Sequence, residues 1–513
     1  MDSRFQIEDG FKERREVATV ESEIAAMTEA AATAPPRRHT LSFGRGCIAL
    51  GVFNALLAYV CIARCGGADY SFTADRRIRL EDLANPSYPC IVVGFNSVVR
   101  AFNLVEWLLP LNEEYLIAAA IRNLRNANLT TVVFGEADDP WRDHLRELLA
   151  AIHAEAALSP IGRFISQQQI IKSLEQRAKV NYYDRRLMIT ARETLARPLI
   201  VTGLPRTGTT LLHNLLTLTG HPDVQYLTYA DTLQPAAEAG DAAARTEVEQ
   251  AVAFMGWMRP LFSKMHEMGA SLPHEELHLQ ALSFYSMLYE SQYHVPSYGA
   301  YYENGTKPWR ALHRLRSYEY VRDLLKVRQW RTREDADRKD KTFVLKSPMH
   351  LECADALLHM LPTQGFTLVR MHREPLNVVL SLATMLAYIQ ALQSDRPQPA
   401  AVLEYWVGRL ERMLRRAVAD DDRLRARENV HVLDIAYEEL IRDPSGTAAR
   451  VLEAHGLSVD AAMRQRLKSY EEAHPRNATG GGRFAYDLGV FGSALTEEEI
   501  AARFSFYRER FLS

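Results

Sequence analysis

The chain has 513 residues, of which 47% are hydrophobic and 24% are charged, a composition typical of a folded globular protein. Its formal net charge at pH 7 is −3, so overall charge gives no attraction toward nucleic acid or anionic lipid. The five cysteines form no C-x-x-C pair and have no histidine cluster beside them, which argues against a metal site. Three of them lie in one N-terminal apolar stretch, which argues against a disulfide framework.

The first 66 residues differ in character from the rest of the chain. Residues 1–40 are polar and rich in Ala, Glu and Arg, and we expect a disordered tail. Within the apolar segment 41–66, the stretch 47–63 has 17 uncharged residues, the lower limit for a membrane-spanning helix. Arginines precede it, so a spanning helix would leave the N-terminus in the cytoplasm. The stretch also fits an apolar helix packed on the folded protein or on a partner, and both interpretations stay open.

Residues 67–197 are predicted to form a helical N-terminal layer. Asn112 is a suitable N-cap because two glutamates follow it in the first turn. Residues 144–158 have apolar side chains at a spacing of three and four, which is typical of an amphipathic helix.

From 198 to 513 the pattern changes to short apolar strands that alternate with helices. The predicted strands are 198–202, 342–346, 366–371 and 430–435. This alternation predicts an α/β fold, in which a parallel sheet carries helices on both faces. Ligands are expected beyond the carboxyl ends of such strands.

The most informative segment is 198–212, with the sequence PLIVTGLPRTGTTLL. It predicts a strand, a tight glycine-containing loop and a helix N-terminus, which together form a cradle for an anion. The loop nearly fits the Walker A pattern, but Thr209 stands where nucleotide triphosphatases have lysine, and Arg206 is the cation of the loop. The predicted anion-binding residues of the loop are Gly203, Pro205, Arg206, Thr207, Gly208, Thr209 and Thr210.

Two further strand ends carry charge. The strand 342–346 ends at Lys346, and the strand 366–371 is followed by Arg373, with Ser381 eight residues later on a predicted helix. Arginine offers a fork of N–H donors to which a nearby hydroxyl can add one more. Because Arg206, Lys346 and Arg373 all follow strand ends, we expect them to converge.

The spacing Gly-x-Pro-Arg-Thr-Gly-Thr-Thr at 203–210 resembles the 5′-phosphosulfate loop of sulfotransferases. These P-loop-like enzymes transfer a sulfuryl group from 3′-phosphoadenosine 5′-phosphosulfate (PAPS) and release 3′-phosphoadenosine 5′-phosphate (PAP). The resemblance covers roughly residues 100–513 and is closest to the branch shared by bacterial sulfotransferases and protein-tyrosine sulfotransferases. It implies that Arg373 and Ser381 bind the 3′-phosphate and that Tyr437 lies near the adenine. Lys346 is similar to the lysine that supports the sulfuryl group.

The same resemblance suggests a general base. Pro273-His274-Glu275 is similar to a Pro-x-Glu element of this branch, whose glutamate takes the proton of the acceptor. His274 and His266 are rivals, because imidazole titrates near neutral pH. Pro273 followed by glutamates is also a normal helix start. In that case Glu275 would only interact favourably with the helix dipole.

The C-terminal segment matches the family less well. Tyr486 with Phe491-Gly492 resembles the part that closes over the cofactor. Many relatives have a basic residue or His two places before the tyrosine, where this chain has Phe484. Arg483, after three glycines, is the candidate to supply that cation.

The predicted function is in-line sulfuryl transfer from PAPS to a hydroxyl or amine acceptor, without a metal ion, by Glu275, Arg206 and Lys346. The acceptor is a small molecule, a carbohydrate or a peptide. The insertion 235–259 and the aromatic run 285–302 are candidates to line its pocket, although the aromatic run also fits a core.

The alternative functions are those of a P-loop kinase or triphosphatase and of a catalytically inactive, membrane-tethered nucleotide-binding protein. An anchored chain would be membrane-associated, in the Golgi of a eukaryote; without an anchor it would be cytoplasmic.

Overall fold

The computed structural model describes residues 80–84, 88–136, 138–238, 240–258, 262, 265–303, 308–332, 341–474 and 487–512. The predicted tail 1–40, the apolar stretch 47–63, Arg483 and Tyr486 lie outside the described residues.

A parallel five-stranded sheet forms the centre of the fold. Its strands are β1 Leu199–Gly203, β2 Val224–Gln225, β3 Thr342–Lys346, β4 Phe366–His372 and β5 Val430–Ala436. They lie in the order β2-β3-β1-β4-β5, and every neighbouring pair is parallel. The α/β prediction is confirmed, and the predicted strand bounds are correct to within one residue. The two-residue strand β2 was not predicted, because it is too short to carry a periodic pattern.

The register of the sheet determines where the functional side chains meet. β1 lies between β3 and β4, with Val201 opposite Lys346 and Gly203 opposite Met371. The carboxyl ends of these three strands are therefore adjacent, as the sequence predicts for Arg206, Lys346 and Arg373.

The region before β1 is helical, as predicted. Asn112 caps the helix Glu113–Asn126, since its Oδ1 accepts a hydrogen bond of 3.0 Å from the Tyr115 N–H. Ser159 caps the helix Pro160–Leu187, whose first residue is proline. The helices are α1 Leu80–Ala84, α2 Cys90–Ala101, α3 Val105–Leu108, α4 Glu113–Asn126, α5 Trp141–Glu155, α6 Pro160–Leu187 and α7 Ile189–Arg192.

The helices after β1 cover both faces of the sheet. Those between β1 and β3 are α8 Thr209–Leu218, α9 Tyr229–Leu233, α10 Ala242–Met258, α11 Leu277–Ala281, α12 Leu288–Gln292, α13 Pro296–Glu303 and α14 Pro308–Thr332. Those after β3 are α15 Ala354–Met360, α16 Pro375–Gln393, α17 Pro399–Arg425, α18 Tyr437–Arg442, α19 Pro444–His455, α20 Ala461–Ala473, α21 Glu497–Arg503 and α22 Ser505–Phe511, with 3-10 turns at Pro348–Glu352 and Leu488–Phe491.

Side chains along β1 point alternately to the two faces of the sheet, and each face has its own core. Leu199 and Val201 pack on one face with the apolar side of α8, and Ile200 packs on the other face with the larger core of the protein. The tyrosines of the run 285–302 belong to that larger core, because Tyr285, Tyr289, Tyr298 and Tyr302 are all buried. Other residues of the run line a cavity, namely Met287, Leu288, Ser291 and Gln292.

Helix α16 is mostly apolar and largely buried. Among the described residues it is the one helix that by itself is long and apolar enough to cross a membrane, and 78% of its most apolar 18-residue window is buried inside the protein. The bent pair 90–101 and 105–126 passes the same test only when taken together. A helix buried this completely is the central helix of a folded domain.

Candidate active site

The anion-binding loop joins β1 to α8, as predicted. Gly208 has φ 89°, and a Cβ at this position would lie 3.0 Å from Leu440 Cδ2 and 3.3 Å from Tyr437 Cδ2, so a larger residue would crowd helix α18. Thr207 Oγ1 donates to the Leu204 carbonyl at 2.7 Å and closes the loop on itself. The loop therefore presents the N-terminus of α8 to the space beyond the sheet.

Arg206 occupies the middle of a compact group of predicted cofactor residues. Its Nε donates to Ser381 Oγ at 3.0 Å, and its Nη1 donates to the Met265 carbonyl at 2.8 Å. Arg373 Nη1 donates to the Arg206 carbonyl at 2.7 Å, and its guanidinium lies 4.1 Å from the centroid of the Tyr437 ring. Arg373 and Ser381 are thus brought together through Arg206, one at its backbone and the other at its side chain.

Lys346 and Glu275 form an ion pair next to Thr210 of the loop. Lys346 Nζ donates to the Glu275 carboxylate and lies 3.5 Å from Thr210 Oγ1. The Lys346 side chain is 4% exposed and that of Glu275 is 20% exposed, so the carboxylate faces the open space and the ammonium lies behind it. The arrangement places a proton acceptor and a cation at the N-terminus of α8.

The neighbouring Glu276 was missed by the sequence analysis. It is fully buried; its Oε2 accepts from the Lys346 backbone N–H at 3.0 Å, and its Oε1 contacts His350 Nε2. His350 in turn lies 3.1 Å from the Tyr318 hydroxyl. Glu276 therefore fixes the segment that carries Glu275 to the end of β3.

The alternative placed Pro273 at the first residue of a helix, and this placement is wrong. The helix begins at Leu277 with Glu276 as its N-cap, whereas Pro273 forms a β-bridge with Thr228. The Glu-Glu doublet is visible in the sequence, but only the packing against β3 shows which member is buried.

Three histidines lie beside this pair. The ring centroids of His274 and Tyr229 are 4.4 Å apart, those of His274 and His278 are 4.8 Å apart, and those of His266 and His274 are 6.3 Å apart. Burial lowers the pKa of His266 and of His278 to about 4, and it lowers the pKa of His274 well below its usual value. These rings are therefore neutral at pH 7, and His274 is a weaker base than an ordinary histidine.

A cavity of about 870 Å³ opens above the loop. This volume lies within the usual range for ligand pockets. The predicted residues that line it are Pro205, Arg206, Gly208, Thr209, Thr210, Glu275, Arg373 and Tyr437, while Gly203, Thr207, Lys346 and Ser381 lie behind this lining. Part of the insertion 235–259 also lines it through α10. In the parts of the chain that the structure describes, no three His, Cys, Asp or Glu side chains are arranged to hold a metal ion.

The comparison with known protein families agrees with this geometry. A model described as "Sulfotransferase family" matches residues 198–461, just over half of the chain, from the start of β1 into α20. The chain belongs to the sulfotransferase family. The resemblance identified from the motifs is thereby confirmed.

Solved structures of sulfotransferases share the fold. The enzyme is similar to sulfotransferase STF1 from Mycobacterium tuberculosis H37Rv, with 25% sequence identity and a TM-score of 0.63, over 78% of this chain and 100% of the other. It shares the fold of sulfotransferase STF9 from Mycobacterium avium, with 22% identity and a TM-score of 0.64, over 78% of this chain and 97% of the other. Comparison with curated protein sequences gives no match.

Proposed function

We propose that this sulfotransferase uses PAPS as its donor and transfers the sulfuryl group in line to a hydroxyl or amine acceptor, with Glu275 as general base. One observation carries the proposal. Lys346, paired with Glu275, contacts Thr210, and Arg206 contacts Arg373 and Ser381, so both groups adjoin one loop whose N–H groups can hold a phosphate.

The donor would be held in two places. The loop and the start of α8 bind the 5′-phosphosulfate, since free N–H groups and the helix dipole favour an anion there. Arg373 and Ser381 bind the 3′-phosphate, and Tyr437 offers its ring to the adenine. Arg373 already lies against that ring, so the phosphate-binding and base-binding groups are preorganised.

The transfer step needs charge neutralisation and one proton acceptor. As the acceptor oxygen forms its bond to sulfur, the bond between sulfur and the 5′-phosphate oxygen breaks, and its electron pair leaves with PAP. The proton of the acceptor hydroxyl goes to the Glu275 carboxylate. Lys346 and Arg206 stabilise the charge on the sulfuryl and bridging oxygens.

A direct transfer assay tests this proposal. The full-length chain is incubated with sulfur-radiolabelled PAPS and a panel of phenols, aliphatic alcohols, carbohydrates and tyrosyl peptides. We expect label in at least one acceptor and PAP in equal amount. Hydrolysis of magnesium-ATP without any sulfuryl transfer would favour the kinase or triphosphatase alternative. PAP binding with no transfer to any acceptor would favour an inactive binding protein.

Arg373→Ala is expected to weaken PAP binding about 10- to 100-fold, because a charged hydrogen-bond donor to the 3′-phosphate is lost. The affinity for AMP, which lacks that phosphate, should change far less. Calorimetric titration of both nucleotides measures the difference. Arg442→Ala, at the exposed end of α18, is the matched control and should leave both affinities unchanged. If the substitution weakened the binding of PAP and AMP equally, Arg373 would not bind the 3′-phosphate.

The proposal includes a membrane anchor at residues 47–63, which is supported by the apolar run and the arginines before it. Carbonate extraction of membranes that contain the full-length chain should leave the protein in the pellet, because a spanning helix is not released by high pH. The matched control replaces both Leu56 and Leu57 with arginine. This variant should be released into the supernatant. Release of the wild-type chain into the supernatant would rule out a spanning helix.

A further inference from the structure

The cavity above the phosphate loop has walls of two kinds. Its charged lining side chains are confined to two places: Arg206, Arg373 and Glu275 at the loop, and the ion pair of Lys172 with Glu247 elsewhere. Lys172 Nζ lies 2.9 Å from Glu247 Oε1. The two side chains are 53% and 50% exposed, so this ion pair lies at the rim of the cavity. Apolar side chains make up most of the remaining lining, which also includes polar ones such as Gln168, Gln169, Ser173 and Gln176 of α6.

Two helices turn matching apolar stripes toward this space. On α16 the stripe consists of Leu382, Met385, Leu386 and Ile389, and on α10 it consists of Val248, Ala251, Val252 and Met255. Both sets follow the spacing i, i+3, i+4, i+7, which normally marks the side of a helix that packs on a core. Leu382, Leu386 and Val248 are only 2% exposed, whereas Met385 and Ile389 on α16 and Ala251, Val252 and Met255 on α10 keep exposed surface beside the cavity. An apolar ligand would cover this remaining surface.

The stripe on α16 begins next to the group formed by Arg206, Arg373 and Ser381. Ser381, which contacts Arg206, directly precedes Leu382 on the helix. From Ser381 to Ile389 the helix rises roughly 12 Å. An acceptor that reaches Glu275 with its hydroxyl and rests its body on this part of α16 would meet an apolar wall of about this length.

We propose that the acceptor is an elongated apolar molecule with a terminal hydroxyl, such as an isoprenoid or fatty alcohol. This inference rests on the proposed sulfuryl transfer and names its substrate class. A carbohydrate would place several hydroxyls against Leu, Met, Val and Ile side chains, where they would lose their hydrogen bonds to water. A charged peptide would lose still more hydration free energy against the same side chains.

Farnesol, phenol and glucose are the probes for this class. With PAPS and the full-length chain, we expect kcat/KM for farnesol to exceed that for phenol and for glucose by about 10-fold or more, since farnesol alone covers the apolar stripes. A higher kcat/KM for glucose or phenol, with normal PAP binding, would overturn this inference and leave the proposed function intact. Absence of both PAP binding and transfer would overturn the proposed function and this inference with it.

Variants of α10 test whether the acceptor occupies this cavity. Val252→Trp fills the cavity and should lower kcat/KM for farnesol by about 10- to 100-fold while phenol turnover and PAP affinity stay unchanged. Ala253→Trp, one residue along and exposed outside the cavity lining, should change none of them.

Met385→Gln, on the opposite wall, keeps the side-chain volume and should also lower farnesol turnover selectively. PAP affinity reports that each variant is folded. Undiminished farnesol turnover in both cavity variants would place the acceptor elsewhere and contradict the proposal.

Discussion

Glu275→Gln is expected to lower kcat by a factor of about 10² to 10⁴, because the amide keeps the shape of the side chain but cannot take the proton of the acceptor. PAP affinity should be unchanged, since Glu275 contacts Lys346 and is not one of the residues proposed to bind PAP. Steady-state kinetics with saturating PAPS and calorimetric titration of PAP measure the two effects separately.

His274→Gln is the comparison that identifies the base. Its ring packs against Tyr229 at an angle of 52°, and burial keeps its pKa well below the usual value, so we expect a much smaller effect on kcat than for Glu275→Gln. A nearly active Glu275→Gln enzyme together with an inactive, folded His274→Gln enzyme would assign the proton transfer to the histidine.

Lys346→Met is expected to lower kcat at least about 100-fold, the scale of losing one preorganised donor at a site of developing charge. The methionine retains most of the buried stem while it removes the ammonium between Glu275 and Thr210. The measurement is kcat under saturating PAPS and acceptor, with PAP affinity as a test of folding.

Lys341→Met is the matched control for this variant. Lys341 directly precedes β3, at the end opposite Lys346, and is outside the cavity lining. It should leave kcat unchanged. If Lys346→Met raised KM for PAPS and left kcat intact, Lys346 would have a binding role and no part in stabilising the transition state.

The sequence predicted the parts of the site that depend on local pattern. The loop, the apolar strands on either side of β1 and the residues that follow them are continuous segments, so their order and their convergence could be inferred from the α/β alternation. The family and the fold class are confirmed on this basis. The site roles of individual residues stay predictions.

What the sequence did not predict depends on contacts between distant segments. Glu276 is identical in type to Glu275, and only the approach of β3 makes one of them buried and the other partly exposed. The Arg206 side chain is fixed by a carbonyl 59 residues away and a hydroxyl 175 residues away. The apolar cavity arises because α10 and α16, far apart in the chain, turn their stripes toward the same space.

Equilibrium binding of PAP, AMP and magnesium-ATP to the full-length chain tests the central claim most directly, because it requires no knowledge of the acceptor. A PAPS-dependent sulfotransferase with Arg373 and Ser381 at the 3′-phosphate should bind PAP at least about 10-fold more tightly than AMP. It should bind magnesium-ATP weakly, since the loop has Thr209 where Walker A has lysine. Equal affinities for PAP and AMP, or a preference for magnesium-ATP, would contradict the account.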